Sequence, residues 1–193
     1  MTTSDEVSRR GDHLQHQGVL LSQENSAFQF IRHQQVRTLK NLIQLLDKAT
    51  PFAEAKKFEY SVLLQARLAP DMFPLMRQIQ ITCDTAKFSA ARLTGKTAPS
   101  HPDEEKTLDE AKARIQSVVS YLETFQESDF QGFHERKITH PRWDGKWMTG
   151  GDFFVEYAIP NFFFHTVTAY NILRHNGVDV GKTDFLGALS LRA

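Results

Sequence analysis

The sequence predicts an all-α fold: an antiparallel four-helix bundle with a small hairpin or extended flap between helices three and four. Three observations carry this. Apolar residues recur at helical spacing over four stretches of about 20 residues. Capping and stop residues bound those stretches. Strand-like features are confined to Gln126 to Gly150. Helices of that length with little sheet bury a core chiefly by packing on one another. A long connection between helices one and two departs from a plain up-and-down bundle.

The first helix is expected from Ala27 to Ala49, where Phe30, Val36, Leu39, Leu42, Ile43, Leu45 and Leu46 keep the helical period and Thr50–Pro51 ends it. A short helix around Tyr60 to Leu64 lies in the connection that follows. The second helix starts near Asp71, an N-cap after Pro70, and closes at Gly95. The third begins at Asp103 or at Thr107, where Thr107 and Glu110 have capping-box spacing. Its seam is Leu108, Ala111, Ile115, Val118, Leu122 and Phe125. Lys137–His140 and Lys146–Met148 flank Asp144–Gly145, a dipeptide suited to a tight hairpin turn. The fourth helix opens near Asp152, which can cap it, and closes at Asn176–Gly177, and Phe185 and Leu186 in the tail pack back on the core. Residues 1–26 read as a flexible extension in which His13 and His16 are solvated, and 27–193 as a single domain.

The chain has 193 residues, and lysine plus arginine equals aspartate plus glutamate at 23 each. No global field therefore favours nucleic acid or an anionic membrane. No targeting signal or membrane-length apolar run is read, so the expected compartment is cytoplasmic. The one cysteine, Cys83, allows no intrachain disulfide and sits in an apolar helical pattern, the setting of an inert buried thiol.

The most informative segment is 156–177, a strongly apolar helix on which Tyr157, Asn161 and His165 recur every fourth residue. Polar groups on such a helix are expected to be partly buried, and burial without partners is costly. Arg77, Gln80 and Asp84 lie on one side of helix two and are expected to form a polar pocket facing helix four. A plainer account stands beside each residue. His165 is then a hydrogen-bonded core histidine, Asp84 an ion pair with Lys87, and Tyr157 a core aromatic. Pro160 either kinks helix four to shape a cavity or bends it around the core. Trp143 and Trp147 either lid a pocket or pin the flap.

Five segments carry a resemblance: Arg67–Pro74 (RLAPDMFP), Gln78–Lys87 (QIQITCDTAK), Pro160–His165 (PNFFFH), Arg174–Gly177 (RHNG) and Gly181–Gly187 (GKTDFLG). In series they resemble a functionally uncharacterised bacterial and fungal family of the DinB/YfiT-like superfamily of proposed metalloenzymes, from about Phe28 to Gly187. The resemblance implies a DinB-like four-helix bundle, often a homodimer. Its usual site would be three histidines, one from helix two and a His-x-x-x-His pair from helix four, holding a divalent metal. His165 matches the second helix-four position. Asn161 stands at the first, while the helix-two position falls near Gln80, with Asp84 one turn later. An amide oxygen is a weak ligand, so His165, Asp84 and Asn161 form the candidate set for Zn, Ni, Fe or Mn.

Two functions follow as expectations. One is a small-molecule site between helices two and four. There His165 acts as general base or metal ligand, Asp84 orients it, and Gln80, Arg77, Asn161, Tyr157 and Trp147 contact substrate. The other is a bundle whose metal site has decayed, acting as a structural or interaction protein, a homodimer.

Overall fold

The computed structural model describes residues 26–192, and it is mostly helical with one two-stranded sheet. All but Ser26 of the expected N-terminal extension lies outside the described residues, as do His13 and His16. The four longest helices are α1 (Val36–Lys56), α2 (Leu75–Thr94), α3 (Leu108–Leu122) and α4 (Ile159–His175). α2 packs against both α3 and α4, and α1 also packs against both.

α1 continues without a break from a π-helical segment, Gln29–Gln35, and buries Leu39, Leu42, Leu45, Leu46, Ala49 and Ala53. The expected stop at Thr50–Pro51 does not occur: the helix runs to Lys56 and ends on Lys57 at φ 60°. Pro51 removes the bond to the carbonyl of Asp47, but both residues are exposed, so water replaces what the proline removes. Beyond it Phe52 packs edge-on to Phe58, ring centroids 5.8 Å apart. A short helix, Ser61–Gln65, follows as expected.

α2 begins at Leu75 rather than Asp71, because residues 70–72 form a turn and Pro74 takes the cap position. Gly95, at φ 79°, closes it. α3 starts at Thr107 with both capping-box bonds in place, which settles the choice against Asp103. Its expected seam faces the core, and so does Arg114, at 3% exposure. Cys83 is fully buried, and burial pushes its thiol up to about 12, as an inert cysteine requires.

The hairpin forms from β1 (Lys137–Thr139) and β2 (Trp147–Thr149), with Ile138 opposite Met148. Asp144 and Gly145 do take positive φ, 50° and 78°, but they close a longer loop (140–146) that includes the 3-10 turn Pro141–Trp143. That loop docks through Trp143, whose ring lies 5.6 Å from Tyr157 and 6.3 Å from Phe153.

The final helix is capped by Thr149, which accepts the Asp152 N–H at 3.1 Å, so Asp152 is not the cap. The chain passes through Gly150–Asp152 and a π-helical segment, Phe153–Ala158, before α4 proper. Pro160 falls in the first turn of α4, just after exposed Val155 and Glu156, where an unmade backbone bond can be hydrated. The wide turn therefore absorbs the proline without breaking the helix. Gly177, at φ 94°, follows the end of α4. A short helix, Lys182–Leu186, returns to α1, where Asn41 donates to the Phe185 carbonyl at 3.0 Å. Among the described residues no helix is long and apolar enough to cross a membrane.

Gly150 is the tightest point in this arrangement, since a Cβ there would lie 1.9 Å from the Phe133 carbonyl oxygen. Gly150→Ala is expected to cost roughly 2–3 kcal/mol, the upper part of the range of about 1–3 kcal/mol for overpacked cores. Urea denaturation measures it, and a loss under about 0.5 kcal/mol would contradict the reading.

Candidate functional site

α2 runs antiparallel to α4 and to the π-helical segment that leads into it, and the two sides meet in three rungs. Gln78 faces His165, whose Nδ1 lies 2.7 Å from the amide oxygen. Thr85 accepts from Asn161 Nδ2 at 2.7 Å. Arg92 faces Phe153, its guanidinium carbon 5.8 Å from the ring centre. Along the ladder lies a cleft of about 490 Å³, closed on one side by His140, Pro141 and Arg142 of the hairpin loop.

Five residues singled out from the sequence line this cleft: Arg77, Asp84, Tyr157, Asn161 and His165. Gln80 does not line it. It is buried on the α3 side, accepting from Arg77 at 3.0 Å and donating to Glu105 at 2.9 Å. Trp147 does not either, because alternation along β2 turns it outward, where Lys137 Nζ lies 5.3 Å from its ring. Trp143, the other hairpin tryptophan, makes the docking contacts. The cleft-facing stripe of α2 is Arg77, Ile81, Asp84, Thr85, Phe88 and Arg92. Extending the spacing of three and four onward from Asp84 reaches Phe88 and Arg92. The hairpin residues His140 and Arg142 had no such signal.

The side chain that orients His165 is Gln78, not Asp84. The Gln78 amide nitrogen donates to the Phe73 carbonyl at 3.0 Å, which turns its oxygen toward the imidazole. His165 Nδ1 must then carry the hydrogen, leaving an unprotonated lone pair on Nε2. Burial, with the Arg77 charge adding to it, lowers the His165 pKa from 6.5 to about 4. The ring is therefore neutral at pH 7. With Asn161 Nδ2 committed to Thr85, its Oδ1 is a second acceptor.

Asp84 is occupied elsewhere. Its Oδ1 accepts from Arg114 at 2.7 Å and pairs with Lys87 at 2.9 Å, and Lys87 is itself buried. Arg114 also meets Asp103 at 2.6 Å and Glu105 at 3.0 Å. Arg77 pairs with Asp103 as well, and Lys87 reaches His101 Nδ1 at 2.9 Å. Burial pushes the Asp103 and Glu105 carboxyls up, but hydrogen bonds, those from Arg114 included, outweigh it and hold both below the usual carboxylate range.

This donor set suits a divalent cation poorly. Among the described residues no three His, Cys, Asp or Glu side chains cluster as metal ligands. Among the described residues the one acidic side chain on the cleft wall, Asp84, is already neutralised by two cations, and Arg77, Arg92 and Arg142 also line the cleft.

Residues 28–186 match the family described as "Domain of unknown function (DUF1993)". A solved structure, a DinB family member from Shewanella denitrificans, is 52% identical, with a TM-score of 0.86 over 90% of this chain and 98% of that one. No curated protein matches the chain. The resemblance drawn from the five sequence segments is borne out.

The His165 geometry sets a pH dependence. An unfolded chain takes up that proton near pH 6.5 and the folded one only near 4, so this contribution to stability is lost as pH falls through that window. Imidazole nitrogen NMR is expected to show Nδ1 protonated and Nε2 bare at pH 7, titrating near 4. A midpoint at 6 or above would contradict the assignment. Arg114→Ala leaves Asp84 and Glu105 without their buried cation and is expected to cost about 3–5 kcal/mol in chemical denaturation.

Proposed function

The chain belongs to the DUF1993 family, and we propose that it binds a small molecule in the α2–α4 cleft, with His165 as the acceptor at its inner rung. The observation that carries this is the Gln78–His165 hydrogen bond at 2.7 Å, which presents a bare Nε2 beside open space. Asn161 Oδ1 offers a second acceptor one helical turn away. A ligand with N–H or O–H donors fits that pair, and the exposed face of Phe73 fits an apolar neighbour.

Binding stands ahead of acid–base catalysis in this reading. A base with a pKa of about 4 removes only acidic protons, and its partner is a neutral amide rather than a carboxylate. The open cleft also supports a small-molecule role over a purely structural one, since a decayed site would favour a filled, dry centre. The reading needs no metal, in keeping with the donor chemistry of the walls.

Benzamide and phenol, titrated against nitrogen-15-labelled protein, are expected to shift amides clustered on the 78–165 and 85–161 rungs. His165→Phe should weaken that binding about tenfold, the equivalent of roughly 1.4 kcal/mol. Shifts scattered over the surface, or unaltered by the substitution, would refute the site. Metal analysis of untagged protein after exposure to Zn, Ni, Fe and Mn should find less than stoichiometric metal. A full equivalent that disappears in His165→Ala would restore the metalloenzyme reading.

A further inference from the structure

Arg92 differs from the other cations that are withdrawn from solvent around α2. Arg114 and Lys87 are matched by Asp84, Asp103 and Glu105, and Arg77 by Asp103. Arg92 is half-buried and, among the described residues, pairs with no carboxylate within 4.0 Å. Its guanidinium lies against aromatic faces instead, 5.1 Å from the Phe88 ring centre and 5.8 Å from that of Phe153. Ring faces compensate a desolvated cation only in part. The contrast extends to ionisation. Burial pulls both arginines down, but hydrogen bonds and acidic neighbours raise Arg114 above its ordinary value, whereas Arg92 stays lowered. An arginine in this position is short of an anion.

The surroundings supply a second donor and a favourable field. His140 Nδ1 accepts the Arg142 N–H at 3.1 Å, so the hydrogen of the neutral ring sits on Nε2. His140 lines the cleft together with Arg92. Arg142 flanks them, and Arg136 and Lys137 lie on the far side of Arg92; among the described residues none of these three is ion-paired. Phe153 and Tyr157 stack at 5.6 Å beside this end, giving it a flat apolar wall.

We propose that the hairpin end of the cleft is an oxyanion subsite. There the Arg92 guanidinium and the His140 imidazole take a carboxylate or phosphate carried on a flat apolar body. The inference rests on the cleft being a small-molecule site and names the class of molecule. A guanidinium offers paired N–H groups that match either oxyanion. Residues 85 and 92 are two helical turns apart, so the body extends roughly 10 Å from the anion to the Thr85–Asn161 rung. The ligand is thus an elongated organic anion, polar at both ends and apolar between.

Calorimetric and NMR titrations with benzoate, phenyl phosphate and benzamide test this on wild type, Arg92→Gln and Arg92→Lys. Wild type is expected to take one of the anions at least about tenfold more tightly than benzamide. Arg92→Gln should abolish the preference without changing benzamide affinity, while Arg92→Lys retains part of it. The Arg92 Nε–H resonance of wild type should shift with the preferred anion, a readout that needs no substituted protein to fold. Whichever anion binds more tightly identifies the group as carboxylate or phosphate. Equal affinity for all three probes, or a preference that survives Arg92→Gln, overturns the oxyanion subsite and leaves the small-molecule reading standing. No binding by any probe at about 10 mM overturns both.

Discussion

The Arg114 guanidinium is buried among three carboxylates, Asp84, Asp103 and Glu105, and this cluster ties α3, α2 and the loop between them together. A cation removed from water at this depth requires anions in good geometry. The three carboxylates come from two places, α2 and the 95–107 connection. Their convergence fixes where α3 stands against α2 and how the intervening loop lies. The same network takes up Arg77, Gln80, Lys87 and His101. It also decides the chemistry of the neighbouring cleft, because an Asp84 spent on Arg114 and Lys87 is neither a strong metal ligand nor the partner of His165.

On the other side of α2, the antiparallel ladder to α4 places the polar groups. Gln78 and Thr85 hold His165 and Asn161 by single hydrogen bonds, each leaving one acceptor toward open space. The π-helical segment ahead of α4 lets Pro160 sit in an unbroken helix and brings Phe153 and Tyr157 together as a stacked wall. Gly150 allows the strand of the hairpin to turn directly into that helix against the Phe133 carbonyl. These local features give the cleft two acceptors at its inner end, where the Arg77 cation is already matched by Asp103, and at its hairpin end cations, Arg92 and Arg142, that have no acidic partner among the described residues. That polarity is the basis for assigning it an elongated anion.

Much of the helical content was legible because it follows from local rules. The seam of α3, the Thr107–Glu110 capping box and the stop at Gly95 each depend on residues within a few positions of one another. The misread boundaries share a cause as well. Pro51 looks like a break in isolation, yet the helix continues, because the missing bond falls on an exposed side and packing beyond it outweighs the loss. Asp71 and Asp152 were plausible caps by type, while Pro74 and Thr149 occupy the positions.

Local residue patterns were enough for the helical periods, the approximate place of the hairpin, the family, and the polar stripe Tyr157–Asn161–His165 with Arg77 and Asp84 opposite. The partners of those side chains come from contacts between distant segments. The partner of His165 is 87 positions away, that of Asn161 is 76 away, and Arg114 meets Asp84 across 30. A pattern within one helix reveals that a polar group must find a partner, but not which one. For that reason Gln78 rather than Asp84 orients the imidazole, and Arg92, packed on two aromatic rings, has no acidic mate among the described residues.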